Sequence, residues 1–208
     1  MRIANPIYDV VFRYMMEDNK VARIVLSAIL GKEVTQLDFR PTKKAAKLGE
    51  KGITVTRMDF NARVKQADGS EKLVIIELQK SKYFFQILRF RRYLGRQYAN
   101  PENIVASNGG GGGKKKKALP ILPIYILGEA FTQHKVPVIH VDRDYVDPAT
   151  KEVLDERHDF IEALTHDAIV IQLPYLAHRR RTEAEQLLEI FDQKNIADSA
   201  GHILEISD

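Results

Sequence analysis

The chain has 208 residues, 44% apolar and 29% charged, a composition suited to one globular domain with a real core. It contains no cysteine, which excludes disulfides, thiolate metal sites and cysteine nucleophiles. The formal charge of +4 is supplied by Lys114 to Lys117, without which basic and acidic residues balance, so the pI does not describe a surface built around nucleic acid.

The longest apolar runs, Leu73 to Ile76 and the proline-interrupted Ala118 to Leu127, fall short of the roughly 20 residues of a membrane helix. Met1 to Asp9 shows no apolar stretch with a small-residue cleavage site. A cytoplasmic protein without a membrane partner is expected.

Ile7, Val11, Tyr14, Met15, Ile24, Val25, Ala28 and Ile29 recur at helical spacing, which predicts a helix over Asn5 to Leu30 stopped by Gly31. Val34 to Arg40 reads as a strand ended by Pro41, and Thr42 to Gly52 as a basic loop. Thr54 to Lys65 and Glu71 to Leu78 flank Asp68-Gly69, a strong antiparallel hairpin signal. Ser81 to Tyr98 then takes helical spacing, with Phe84, Ile87, Leu88, Tyr93 and Leu94 as its apolar positions among arginines.

Residues 107–117, five glycines followed by four lysines, have the composition of a disordered loop. A phosphate-binding loop would need Ser or Thr after its lysine, where Lys115 stands. Leu119 to Leu127, Val136 to Tyr145 and Ala168 to Leu173 read as strands, and Arg179 to Gln193 as an amphipathic helix burying Ala184, Leu187, Leu188 and Phe191. This order predicts one α/β domain over 1–208 with a mixed sheet.

Asp59, Glu77 and Gln79 are polar residues inside otherwise apolar strands. Alternation puts Glu77 and Gln79 on one face, and a turn near Asp68 or Gly69 sets Asp59 opposite one of them. Two carboxylates about 5 Å apart repel unless a proton or cation lies between them. Oxygen ligands favour Mg2+, with Mn2+ also suitable, and such an ion can activate water against a phosphodiester. Gln79 would orient water or substrate, while Lys80 or Lys82 would stabilise transition-state charge. Arg89, Arg92 and Arg96 share a helical stripe that either solvates the surface or follows a phosphate backbone.

Asp59 alone also fits a solvated strand edge, and Asp9 fits a first-turn acid better than a third metal ligand. The six histidines lack metal-ligand spacing. His178 to Arg181 precedes the last predicted helix, where positive charge opposes the dipole and hints at a partner surface.

At these residues the sequence resembles the PD-(D/E)XK nuclease superfamily, in particular its Rpn-like branch of recombination-promoting nucleases and transposase relatives. The resemblance rests on Asp9-Val-Val-Phe12-Arg13, Met58-Asp59, Ile76-Glu77-Leu78-Gln79, Arg89 with Tyr93, and Leu122 to Leu127. It implies a restriction-endonuclease-like core of helix, three strands, helix and strand, with a C-terminal strand and helix. It further implies a metal held by Asp59 and Glu77, and DNA cleavage linked to recombination or transposition. Gln79 stands where the superfamily carries lysine, as is usual for this branch, Met58 stands where a proline precedes the aspartate in the superfamily's pattern, and the Gly-Lys tract is foreign to it. Related chains are expected to continue past Asp208 with a helical extension.

The expected catalytic set is therefore Asp59, Glu77, Gln79 and Lys80, with Lys82, Arg89, Arg92 and Arg96 on DNA. No small-molecule cofactor is expected, and cutting both strands would call for a homodimer. A catalytically inactive DNA- or protein-binding module on the same fold is the alternative, as is a partner protein read only by other proteins.

Overall fold

A computed structural model of the chain describes residues 1–40, 56–81, 83–108, 114–176 and 182–206. The predicted loop at Thr42 to Gly52, Lys82, the glycines of the 107–117 tract and the His178 to Arg181 run lie outside the described residues.

Strand β1 (Arg2–Ala4) precedes α1 (Asp9–Glu17) and α2 (Asn19–Leu30). The single helix predicted over Asn5 to Leu30 breaks at Asp18, whose extended backbone and side chain cap α2 by accepting from the Lys20 and Val21 amides. An aspartate competes well for such a position. Gly31, at φ 60°, ends α2 in the left-handed region that glycine enters without a Cβ clash. The buried stripe is Phe12, Met16, Ala22, Val25, Leu26 and Ile29, whereas Tyr14 and Ile24 are exposed.

Strands β2 (Val34–Arg40), β3 (Thr56–Lys65) and β4 (Glu71–Ser81) form an antiparallel series. Between β3 and β4 the Gln66 amide donates to the Ser70 carbonyl, and Asp68 accepts from the Ser70 amide and hydroxyl. Gly69 supplies the φ of 82° that closes this turn.

Helix α3 (Ile87–Ala99) and strands β5 (Ile104–Asn108) and β6 (Lys114–Ala118) lead to β7 (Ile121–Leu127). The lysines expected in a disordered tract instead form a strand, because Lys114–Ala118 pairs antiparallel with β5. Lys117 also meets Asp159 at 2.6 Å. Backbone pairing and one ion pair thus supply what lysine-rich composition does not.

The strand predicted over Val136 to Tyr145 is the shorter β8 (Val138–Val141), and β9 (Tyr145–Val146) and β10 (Val153–Leu154) follow as a separate antiparallel pair. Then come α4 (Asp159–Leu164), β11 (Ala168–Gln172), α5 (Glu183–Leu187) and β12 (Ile203–Glu205), which pairs with β1. The helix expected over Arg179 to Gln193 is capped by Thr182 and tightens after Leu187 into a 3₁₀ turn, Leu188–Phe191. Its apolar positions still serve the core, with Ala184, Leu188 and Phe191 buried.

The central sheet has the order β2-β3-β4-β7-β11-β8. β4, β7 and β11 run parallel and the remaining pairs antiparallel, so the protein is α/β with a mixed six-stranded sheet. One face packs Phe12, Met16 and Leu26 from the N-terminal helices and Phe191 from the late turn against Met58, Phe60, Leu78, Ile124 and Ile126. On the other, Ile75 and Ile121 meet Leu94 of α3 and Leu119. Among the described residues no helix is long and apolar enough to cross a membrane.

Candidate active site

The β3–β4 register decides which side chains meet. Asp59 pairs with Glu77 and Arg57 with Gln79, while β7 sets Pro123 beside Glu77 and Tyr125 beside Gln79. On the outer side, Arg40 of β2 pairs with Asp59. Residues in register share a face, so Arg40, Arg57, Asp59, Glu77, Gln79 and Tyr125 form one polar patch beneath α3.

The patch is almost dry. Asp59 is 4% exposed, and Glu77 and Gln79 are at 0%. Arg57 provides the charge balance: its Nε and Nη2 donate to the two Asp59 oxygens at 3.0 and 2.5 Å, and Nε lies 3.4 Å from Glu77 Oε1. Gln79 Nε2 donates to that same Glu77 oxygen at 2.7 Å. The guanidinium sits 5.0 Å over the Tyr93 ring, a cation–π contact that supports it from α3.

α3 also places Gln97, whose side chain helps to lower the Asp59 pKa. Gln97 is held by Asn103, which donates to its backbone carbonyl at 2.7 Å and to its Oε1 at 3.0 Å. Arg40 in turn donates to Asn103 Oδ1 at 2.5 Å and to Glu102 Oε2 at 3.2 Å.

Burial pushes the Glu77 carboxyl up to about 8, with Arg57 opposing and the Asp59 charge adding to the rise. Burial also raises Asp59 against the pull of Arg57, Gln97 and Arg40. Arg57 grips Asp59 at two points and Glu77 at one longer contact, so its pull falls more heavily on Asp59. Tyr125 is pushed up to about 12, mainly by burial and secondarily by Glu77, so it faces the patch as a neutral phenol.

Two acceptors here lack any hydrogen-bond partner among the described residues, Glu77 Oε2 and Gln79 Oε1. An unpaired buried acceptor is costly. A proton on Glu77, or a cation facing both oxygens, would satisfy them. Among the described residues no group of three or more His, Asp or Glu side chains is arranged to hold a metal, so a cation would rely on two carboxylates and the Gln79 carbonyl.

Lys80 does not join this patch. Strand alternation turns it to the opposite face, where its Nζ meets Asp9 at 3.0 Å, the Pro6 and Ile7 carbonyls, and the Phe12 ring. Burial lowers its pKa, and Asp9 offsets part of that effect. Asp9 is thus a first-turn acid of α1 paired with Lys80. Arg92 and Arg96 lie exposed on α3 and Arg89 is half-buried, with Arg96 5.8 Å over Tyr93.

Sequence reading missed Arg57, Arg40, Gln97 and Asn103. The signal for Arg57 was present, since it stands two residues before Asp59 on the same strand and must share its face. No family model matches the chain, and no curated protein or solved structure shows significant similarity to it.

Proposed function

We propose that the chain is a Mg2+-dependent endonuclease hydrolysing DNA phosphodiester bonds, on a restriction-endonuclease-like core of the Rpn type, with a role in recombination or transposition. The observation that carries this reading is the pair of orphaned acceptors, Glu77 Oε2 and Gln79 Oε1, beside Asp59 at the buried centre of the sheet. The donor set is hard oxygen, which suits Mg2+ or Mn2+.

Asp59 and Glu77 would hold the ion, with the Gln79 carbonyl oxygen as third donor. When bound, such an ion polarises a phosphodiester oxygen and acidifies an attacking water. Gln79 fixes Glu77 through its Nε2, which leaves its carbonyl oxygen without a partner among the described residues. Arg57 is the cation already in contact with both carboxylates. Displaced from Asp59, it would move to the phosphate and stabilise the charge that develops there, a duty that the wider superfamily gives to a lysine at position 79. Arg89, Arg92 and Arg96 would follow the backbone of the DNA.

Arg57 also favours the rival reading, a catalytically inactive DNA- or protein-binding module. It already grips Asp59 at two points, so the carboxylates are neutralised without a metal. Plasmid nicking over a Mg2+ and EDTA series separates the two readings. Metal-dependent cleavage lost in Asp59→Ala supports the nuclease, and DNA binding without cleavage supports the module.

A further inference from the structure

β4 ends at Ser81, two residues past Gln79, and β7 ends at Leu127, two past Tyr125. Ligands of α/β sheets gather outside such C-terminal strand ends. Here the chain places aromatic rings. Phe84 lies 5.8 Å from Phe131 and 6.5 Å from Phe85, which stacks on Tyr83 at 5.0 Å. These rings are not core: Phe84 is 44% exposed, Phe85 63%, Phe131 46%, and Leu88 on the first turn of α3 reaches 73%. Of the apolar positions predicted on this helix, Phe84, Ile87 and Leu88 therefore point outward, while Leu94 is buried together with Phe90 and Gln97.

The exposed ridge continues at four-residue steps from Leu88 to Arg92 and Arg96. α3 carries four arginines and no acidic residue. Neither Arg92 nor Arg96 makes an ion pair among the described residues. A second copy laid two-fold on this ridge would set arginine against arginine. A polyanion with flat apolar faces is the complementary partner. Duplex DNA offers phosphates but hides its base faces, whereas a single strand offers both.

We infer that this ridge binds single-stranded nucleic acid, with bases stacked on Phe84, Phe85 and Phe131 and the backbone running along Arg92 and Arg96. The inference deepens the nuclease reading, on which it rests, by naming the substrate class delivered to that site.

The test is fluorescence anisotropy of the full chain with a labelled oligothymidylate and with a mixed-sequence duplex, in EDTA so that cleavage plays no part. The single strand should bind at least about 10-fold tighter. Phe84→Ala with Phe85→Ala should weaken it by about 10-fold or more and leave duplex binding unchanged. Arg92→Gln with Arg96→Gln should weaken both and flatten the salt dependence. Equal affinity for both nucleic acids, untouched by the phenylalanine changes, overturns the inference. So does a concentration-dependent dimer in sedimentation that Phe85→Ala dissolves, without nucleic-acid affinity. Single-strand binding with no Mg2+-dependent cleavage would sink the nuclease reading and leave the ridge standing. Cleavage with normal binding by the phenylalanine variant would do the reverse.

Discussion

Arg57 faces Gln79 directly across the β3–β4 ladder, so the positive charge that Gln79 does not supply stands one strand away. From there it holds Asp59 at 2.5 and 3.0 Å and Glu77 at 3.4 Å. The guanidinium and a divalent ion would compete for the same oxygens.

Replacing Arg57 by Met removes the one cation that touches both buried acids, leaving only Arg40 beside Asp59. Thermal unfolding in EDTA should show a loss of about 3 kcal/mol, the usual scale for removing one partner of a buried pair. Added Mg2+ should restore more stability to the variant than to the parent protein, since a ligand of the native state stabilises by mass action. A variant whose unfolding ignores Mg2+ would separate Arg57 from any metal position.

Glu77 gives the site a pH signature. Its folded pKa, about 8, lies above the ordinary value of 4.5. Between those values the folded state keeps a proton that the unfolded state has released, so stability falls as pH rises through this window and levels off above it. Raised Asp59 adds in the same direction. Urea unfolding from pH 5 to 9 should show this slope, and Glu77→Gln should reduce it and be the more stable chain at pH 9. Metal binding near pH 7 should release a proton, visible as a buffer-dependent heat in calorimetry.

Lys80 belongs to the fold. Lys80→Met removes the contacts to Asp9 and to the Pro6 and Ile7 carbonyls, and should cost about 2 kcal/mol, because Asp9 remains partly solvated. Metal-dependent cleavage per folded molecule should stay unchanged. A selective loss of turnover with normal unfolding would return Lys80 to the chemistry.

Local chemistry made much of this legible. The Asp68-Gly69 turn sets the hairpin, and the hairpin alone brings Asp59 to Glu77. The same alternation that joins Glu77 to Gln79 also assigns Lys80 to the opposite face, so sequence proximity misled where strand geometry did not. Arg40 and Gln97 were unreadable for another reason. Arg40 reaches the site through a strand whose register no short turn dictates, and Gln97 through the way α3 lies on the sheet. Composition failed at Lys114 to Lys117 because a ladder with β5 outweighs lysine's poor strand propensity. Helical spacing found α3 but not its buried stripe, since Leu88 and Leu94 are equally apolar and only the sheet decides which is covered.

The central claim is that Asp59 and Glu77 form a metal-dependent phosphodiesterase centre. Its most direct test is nicking of a duplex plasmid and of a single-stranded DNA circle over a Mg2+ and EDTA series, with the parent chain and the Asp59→Ala, Glu77→Ala double variant purified side by side. The account predicts nicking that requires Mg2+, stops in EDTA and is absent from the variant. Equal nicking by both chains, or none by a folded parent chain at any Mg2+ concentration, would contradict it.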